Sequence, residues 1–372
     1  MNNVSHKVSS PFLKPVYSVP GVMATVLLAL LPAAICYTWF FGAGFLINLL
    51  ITSTLGLLLE ALVMRARGKP VFFYLGDLSI LVTAALLSFA LPPGSPWWIA
   101  TSGIFIACVF GKHVFGGLGH NIFNPAALAY VSLLILFPLQ MTGWYLPGSG
   151  SYAEAPIDPL SAYGVYTSLQ LSFPWLRDFA LTPFPVRPDG FATATPLIEY
   201  KFAAPSRILM AEPDGFTLWE RGARTGWEML SVSFALGGLF LLWRGIISWH
   251  IPFTVVAVVF VLSSLFYQPG QEAIFGSPWL HLFSTSTLIG AFFIATDPAS
   301  SPSSALGKVI YGALIGIAMY SIRIWGSYLD SVALAILAVN MCSPLIDQLT
   351  ARTPLGHPSR VKRWLSAWKK TA

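Results

Sequence analysis

Long apolar runs constrain this chain more than any other feature of its sequence. A helix needs about 20 mostly apolar residues to cross a bilayer, and 55% of the 372 residues are hydrophobic while only 10% are charged. Soluble domains carry about 25% charged residues, so the composition predicts an integral membrane protein. The runs predict an all-α fold with about ten transmembrane helices, near residues 20–40, 43–63, 77–92, 97–112, 124–140, 226–245, 251–267, 279–296, 308–324 and 329–349.

The same runs divide the chain into four parts. Residues 1–140 and 226–350 are each predicted to form a membrane bundle of about five helices, separated by the loop 141–225 and followed by the basic tail 351–372. Basic residues accumulate on the cytoplasmic side of membrane proteins. With the N-terminus inside, most of the 21 basic residues, Lys112 included, fall on that side. We therefore expect both termini in the cytoplasm and the large loop on the opposite side. This topology accounts for the net charge of +6 without a nucleic-acid partner.

A short sequence echo links the two predicted bundles. Gly-Ser-Pro-Trp occurs at 94–97 and again at 276–279, and each copy leads through an apolar run to Asn124-Pro125 or Asp297-Pro298. An internal repeat would explain the echo and would place two similar broken helices around a shared central site. Chance similarity in so apolar a composition is the other explanation.

Acidic residues within or beside the apolar runs are candidates for an ion pathway. A charge at membrane depth costs about 2.5–3.5 kcal/mol or more and needs a reason. Glu60 is expected either to reach toward the interface or to bind an ion, and Asp77 either to cap a helix or to bind an ion. Asp297, before a proline and a Ser-rich turn, has the same two interpretations. Asp347 and Arg323 are expected to form an interfacial pair or part of a subunit contact.

A glycine-rich segment at 110–130 has two interpretations. It contains Gly116, Gly117, His120 and Asn124, and glycines allow close approach of backbone or of a flat ligand. A ligand site is one interpretation, and a re-entrant turn stabilised by Asn124 and the proline after it is the other. The two histidines of the segment are seven positions apart and lack a neighbouring carboxylate in the sequence, so no metal site is predicted there.

The three cysteines do not form a metal or disulfide motif. Cys36, Cys108 and Cys342 each lie in an apolar run, without a CxxC pair. They are predicted to be small packing residues. A cluster ligand shared with another subunit is the alternative.

The polar stretch RPDGFATATPLIEYK, residues 187–201, lies in the predicted outer loop. Its composition alone indicates a plain Pro/Gly/Thr loop. Together with GGLGHNIFNPAALAYVSLLILFP, FIATDPASSPSSALGKVIYGALIGIAMYSIRIWG and DSVALAILAVNMCSPLIDQLT, however, it resembles the NqrB/RnfD family. These are membrane subunits of ion-translocating electron-transport complexes. The resemblance spans nearly the whole chain and is strongest to the RnfD branch, because the first helix starts near residue 20.

The resemblance implies a covalent flavin in the outer loop. In this family FMN is joined by a phosphoester to the last threonine of a motif that begins Asp-Gly. On this sequence the motif places the attachment at Thr195, with Asp189, Gly190 and Thr193 as part of it. The family pattern has Ser or Thr where Ala192 stands and Gly where Thr193 stands, so Thr193 is the alternative acceptor.

The resemblance also implies the setting in which the chain works. It implies a flavoprotein subunit of an Rnf-type complex in the bacterial inner membrane, with the Thr195 loop in the periplasm. Electrons would pass between ferredoxin and NAD with coupled ion movement. The implied partners are the A, B, C, E and G subunits of the Rnf complex, membrane lipid, and a flavin transferase for maturation. Related chains hold a second, non-covalent flavin, so riboflavin or a similar ligand is expected at Gly116, Gly117, His120 and Asn124.

Two other functions compete with the electron-transfer interpretation. A small-solute channel or transporter would use the same apolar helices and the same echo without redox chemistry. A structural membrane subunit that has lost its flavin would account for the altered motif. The segment around Thr195 discriminates among them, because a simple pore has no need of a flavin-attachment motif.

Overall fold

Helices form every regular element in the part of the chain that the structure describes. The computed structural model describes residues 18–142, 144, 169, 172–173, 224–267, 277–283, 286–326 and 331–350. Asp189, Gly190, Thr193 and Thr195, together with most of the predicted outer loop and the predicted basic tail, lie outside the described residues.

The N-terminal helices begin and end where the local sequence favours it. Ser18 caps the first helix by accepting a hydrogen bond from the Gly21 backbone N–H at 3.3 Å. Asn124 caps the helix that starts at Pro125, a residue suited to the first helical position. The helices are α1 (Val19–Phe41), α2 (Gly44–Ala66), α3 (Val71–Leu75), α4 (Ser79–Ala90), α5 (Trp97–Phe105), π1 (Ile106–His113), α6 (Pro125–Leu136) and α7 (Pro138–Met141).

The C-terminal helices follow the same pattern of long and interrupted elements. Ser304 caps the long helix that begins at Ala305, accepting from the Gly307 backbone N–H at 2.9 Å. The helices are α8 (Arg224–Trp243), α9 (His250–Phe266), α10 (Pro278–Phe283), α11 (Thr287–Ile289), π2 (Gly290–Ile294), α12 (Ala305–Ile324) and α13 (Val332–Thr350).

Several of these helices have the length and composition of membrane spans. Five qualify within the described residues: Val19–Phe41, Gly44–Ala66, Gly226–Trp243, Ala305–Ile324 and Val332–Thr350. In the most apolar window of α1 the mean hydropathy is 2.2, yet only 17% of that window is buried within the protein. Apolar side chains that face outward fit a lipid environment. The chain is therefore a multi-pass helical membrane protein, while the count of ten spans stays a prediction because the other segments are shorter or interrupted.

The two predicted bundles pack on each other through α1 and α8. A Cβ atom built on Gly237 of α8 would lie 2.1 Å from the Ala29 carbonyl oxygen of α1, so only glycine permits this close crossing. Aromatic rings fill the same interface, with Phe41 against Trp227 at 4.8 Å between centroids. One continuous apolar core therefore joins the helices on both sides of the loop 141–225.

Both segments that start with the Gly-Ser-Pro-Trp echo become π-helical toward their far ends. The first runs from α5 directly into π1, and the second passes through α10 and α11 into π2. A π-helix widens the turn and frequently marks a functional site. Asn124, which follows the first segment, donates to the Ile294 carbonyl at the end of the second at 3.5 Å. The ends of the two interrupted segments therefore meet inside the protein, although the internal repeat itself stays a prediction.

Candidate functional site

A buried ion pair lies between α2 and π1. The Lys112 ammonium is 2.5 Å from Glu60 Oε1, and the two side chains are 4% and 0% exposed. A buried carboxylate or ammonium is tolerated when it is paired and hydrogen-bonded. The expectation that Glu60 reaches toward the interface is therefore wrong, because its partner holds it inside. The Lys112 side chain likewise points into the protein, where its counter-charge lies.

Ser79 and Asp77 extend the ion pair into a chain of polar groups. Lys112 Nζ donates to Ser79 Oγ at 2.6 Å, and Ser79 Oγ donates to Asp77 Oδ1 at 2.5 Å. Asp77, which precedes the N-cap residue Leu78, also accepts from the Ser79 backbone N–H at 2.8 Å through Oδ1, so the carboxylate bonds the first residue of α4. Asp77 thus serves the helix start and is linked to Lys112 through a single hydroxyl.

His113 lies beside the same carboxylate. Its Nε2 atom is 3.8 Å from Glu60 Oε1, and neither ring nitrogen has a hydrogen-bond partner. No carboxylate neighbours His113 in the sequence, but the fold brings in Glu60 from 53 positions earlier. His120 is exposed. Within the described residues, no group of three or more His, Cys, Asp or Glu side chains is placed to hold a metal ion.

A second polar cluster surrounds Asp297 after π2. Asp297 Oδ2 accepts from Asn121 Nδ2 and from Ser300 Oγ, each at 3.2 Å, and Oδ1 accepts from the Ala299 backbone N–H at 3.4 Å. Asn121 comes from the first bundle, 176 positions earlier in the chain. Among the described residues, Asp297 has hydrogen-bond donors but no ion pair.

A cavity of about 140 Å³ connects the two polar clusters. Its lining includes Ser79 and Lys112 of the first cluster and Asn121 and Asp297 of the second. The apolar side chains that line it include Val22, Val26, Leu86, Phe292 and Phe293. Ligand pockets for organic molecules usually measure about 300–1,000 Å³. This cavity therefore has room for a small ion with a few waters, each of which occupies roughly 30 Å³ in the liquid.

Of the four residues predicted to hold a second flavin, Asn124 lines this cavity, whereas Gly116, Gly117 and His120 are not part of its lining. Gly116 and Gly117 have φ values of 117° and 109°, which glycine adopts readily. A Cβ atom on Gly117 would meet nothing within 4 Å, so the turn and not a close contact requires the glycine there. Asn124 Oδ1 already accepts from the Ala126 and Ala127 backbone N–H groups. These features are those of the re-entrant turn that the sequence offered as the alternative.

Arg323 and Asp347 do not form the pair that the sequence suggested. Arg323, near the end of α12, donates to the His281 carbonyl, Thr287 Oγ1 and Ser331 Oγ, each at 2.8 Å. Asp347 accepts from the Ser303 backbone N–H at 2.9 Å, at the opposite end of α12. The antiparallel arrangement of α12 and α13 separates the two charges by most of a helix length.

The three cysteines differ in environment. Cys108 is buried in π1 and Cys36 is partly buried, as expected for packing residues. The packing prediction is wrong for Cys342, which is exposed on α13. Cys342 therefore does not fill space in the protein core.

Sequence reasoning missed Lys112 as a member of the site. Its basic side chain stands between apolar stretches, and an opposite charge at membrane depth in Glu60 was a signal that the two belong together. Periodicity could not reveal the pairing, because 52 positions separate the partners.

Comparison with known proteins gives a consistent result over nearly the full chain. Residues 6–356 match the model of the NQR2, RnfD, RnfE family. The chain is 42% identical over 353 residues to the D subunit of an ion-translocating oxidoreductase complex of Vibrio vulnificus (strain YJ016), covering 94% of this chain and 98% of that protein. It is 40% identical over 355 residues to the protein of the same description from Cellvibrio japonicus (strain Ueda107), covering 94% of each.

Proposed function

The chain belongs to the NQR2, RnfD, RnfE family, and from that premise we propose that it is a membrane subunit of a complex that couples electron transfer to ion translocation. The observation that carries the proposal is its 42% identity, over 94% of its length, to the D subunit of an ion-translocating oxidoreductase complex. Such a subunit is not expected to be catalytic alone, because electron carriers of this kind are shared among several chains.

The ion pathway in this proposal runs through the buried polar clusters. Glu60, Asp77 and Asp297 offer carboxylate oxygens, which hard monovalent and divalent cations prefer as ligands. The cavity beside Ser79 and Asp297 gives a small cation and its waters a place between the two bundles. Broken helices around a central site are a common arrangement in transporters, and the two π-helical segments fit that arrangement.

The electron pathway in this proposal depends on covalent FMN at Thr195. The support is the sequence DGFATATP at 189–196 together with the family membership. Small residues at Gly190, Ala192 and Ala194 would allow a flavin transferase to reach the threonine hydroxyl. The bound flavin would supply the redox chemistry, and the protein would hold it in place and tune its potential.

The wider setting is proposed on the same family basis. The Thr195 loop would face the periplasm across a bacterial inner membrane, with both termini in the cytoplasm and ten helices crossing the bilayer, arranged as an internal repeat. Electrons would move between ferredoxin and NAD with the help of the A, B, C, E and G subunits of the Rnf complex. A second, non-covalent flavin would be held at Gly116, Gly117, His120 and Asn124, where glycines allow close approach of a flat ligand.

Flavin attachment gives the direct test. We would purify the chain from its native membrane, denature it in SDS, and record flavin fluorescence on the gel band. Mass spectrometry of the peptide covering residues 188–201 would locate the modification. The proposal expects FMN on Thr195, loss of fluorescence in Thr195→Ala, and retention in the matched control Thr193→Ala. An unmodified peptide in cells that contain the flavin transferase would contradict it.

A small-ion or small-solute transporter without redox function is the second candidate. The observation that favours it is the cavity that residues of both polar clusters line, beside the interrupted helices. An unmodified peptide together with transport activity in liposomes of the purified chain would support this candidate over the first.

A further inference from the structure

The Lys112 ammonium occupies the position that a bound cation would take beside Glu60. It lies 2.5 Å from Glu60 Oε1 and 2.6 Å from Ser79 Oγ, and it neutralises a carboxylate that is fully buried. Glu60 Oε2, the second carboxylate oxygen, is also buried and has no hydrogen-bond partner. The site therefore has oxygen ligands for a cation and one coordination position that the lysine leaves unused.

The cavity offers the Lys112 ammonium a second position. Its side chain lines the cavity of about 140 Å³, which is lined in addition by Asp297. Asp297 accepts hydrogen bonds from neutral donors and has no ion pair among the described residues. A lysine carries a compact charge on a flexible four-carbon stem. Rotation of that stem would move the ammonium from Glu60 into the cavity that Asp297 shares.

We propose that Glu60 and Ser79 form a binding site for a monovalent cation, and that Lys112 is a tethered competitor whose ammonium must withdraw into the cavity toward Asp297 before the cation binds. This proposal deepens the ion pathway of the proposed function and rests on it. The cation and the Lys112 ammonium cannot occupy the Glu60 site together, because both would compete for one carboxylate.

Exclusive occupancy gives the protein two discrete arrangements. In one, Lys112 pairs with Glu60, as in the structure. In the other, the cation is at Glu60 and the ammonium is near Asp297, so Glu60 and Asp297 each have one positive charge beside them. A ligand shifts such an equilibrium only by its difference in affinity for the two states. Here the difference in cation affinity arises because Lys112 blocks the Glu60 site in one of the two arrangements.

The test removes the tethered competitor from the full-length chain. We would measure the unfolding midpoint of Lys112→Met in detergent, in NaCl, LiCl or choline chloride at one ionic strength. The proposal expects Na⁺ or Li⁺ to raise the midpoint by about 3 °C or more over choline in Lys112→Met, because the cation replaces the missing ammonium. The unaltered chain should show a smaller rise, since its own lysine competes.

Two further variants separate site binding from a general salt effect. Glu60→Gln combined with Lys112→Met should lose the difference between Na⁺ and choline, because the carboxylate is gone. Lys308→Met, which removes a lysine of α12 that does not line the cavity, should behave as the unaltered chain. An equal response of Lys112→Met to all three salts would overturn the proposal, as would an unchanged cation response in the double variant.

Hydrogen exchange on the unaltered chain covers the case in which Lys112→Met does not fold. The proposal expects Na⁺ or Li⁺ at high concentration to change exchange across residues 106–124 relative to choline, because Lys112 must move. Equal exchange in all salts would overturn it. Neither readout requires a flavin, so a chain without FMN at Thr195 would contradict the proposed electron pathway and leave the cation-site result standing.

Discussion

Lys112 and Glu60 form an ion pair, with 2.5 Å between Nζ and Oε1, at a place where both side chains are almost completely shielded from solvent. The pair joins α2 to π1, and Ser79 ties it to the start of α4. Three separate elements of the first bundle therefore meet at one buried carboxylate. The stability of this region should depend on the charge balance of the pair more than on either residue alone.

A double-mutant cycle tests that dependence. In choline buffer, Lys112→Met should lower the free energy of unfolding by about 3–5 kcal/mol, because it leaves a buried carboxylate without its partner. The double variant Lys112→Met with Glu60→Leu should recover most of that loss, since replacing both charges by apolar groups is often nearly neutral. Denaturant titration in detergent measures both values. Additive losses in the double variant would show that the pair is not coupled.

A glycine in the α1–α8 crossing gives a second prediction. Gly237→Ala should destabilise the protein although alanine favours helix, because its Cβ would lie 2.1 Å from the Ala29 carbonyl oxygen. Gly56→Ala in α2 is the matched control, since its nearest contacts are isoleucine side-chain atoms at 3.1 Å. Thermal unfolding should show a clearly larger loss for Gly237→Ala. An equal loss for the two variants would contradict the close crossing of α1 and α8.

Arg323 gives a third prediction, for the interrupted segment of the second bundle. Arg323→Lys keeps the charge but loses the planar fork that reaches the His281 carbonyl, Thr287 and Ser331. Hydrogen exchange across residues 278–294 should therefore become faster. Arg244→Lys, at an exposed position after α8, is the control and should leave exchange in that segment unchanged. Unchanged exchange in Arg323→Lys would show that the three bonds do not hold the segment.

The helices were predictable from sequence because their signal is local. The runs near 20–40 and 43–63 correspond to α1 and α2, and the run at 308–324 lies within α12. Lipid-exposed helices need apolar residues on all sides, so length and hydropathy alone locate them. Their ends shift by a few residues where a cap such as Ser18 decides the first turn.

The interior of the site was less predictable because its contacts are distant in sequence. Asp297 was recognised as a candidate from its position before a proline, but its bond to Asn121 spans 176 positions. No recognised signal in the sequence marks π1 and π2, because an apolar run has the same composition whether its helical turns are regular or widened. The prediction that Arg323 pairs with Asp347 was wrong. The helices α12 and α13 run antiparallel, so the two charges lie at opposite ends of α12.

Asp297 gives a fourth prediction, which concerns transport. Asp297→Asn keeps the shape of the side chain and removes its charge. Ion uptake by membrane vesicles should therefore fall by a larger factor than the rate of electron transfer. Asp347→Asn is the matched control, because that carboxylate accepts a hydrogen bond from the Ser303 backbone N–H and does not line the cavity. Uptake rates measured with a radioactive or fluorescent ion probe decide the result. Normal uptake in Asp297→Asn would remove this residue from the pathway.

The most direct test of the account measures electron transfer and ion uptake together in sealed inverted membrane vesicles that contain the whole complex. A low-potential electron donor and NAD would start the reaction, and both rates would be recorded with the unaltered chain and with Thr195→Ala. The account predicts that Thr195→Ala abolishes flavin on this chain and reduces both rates in parallel, while Thr182→Ala, at a threonine outside the attachment motif, changes neither. Normal electron transfer and normal uptake in Thr195→Ala vesicles would contradict the central claim that this chain couples the two processes through its flavin.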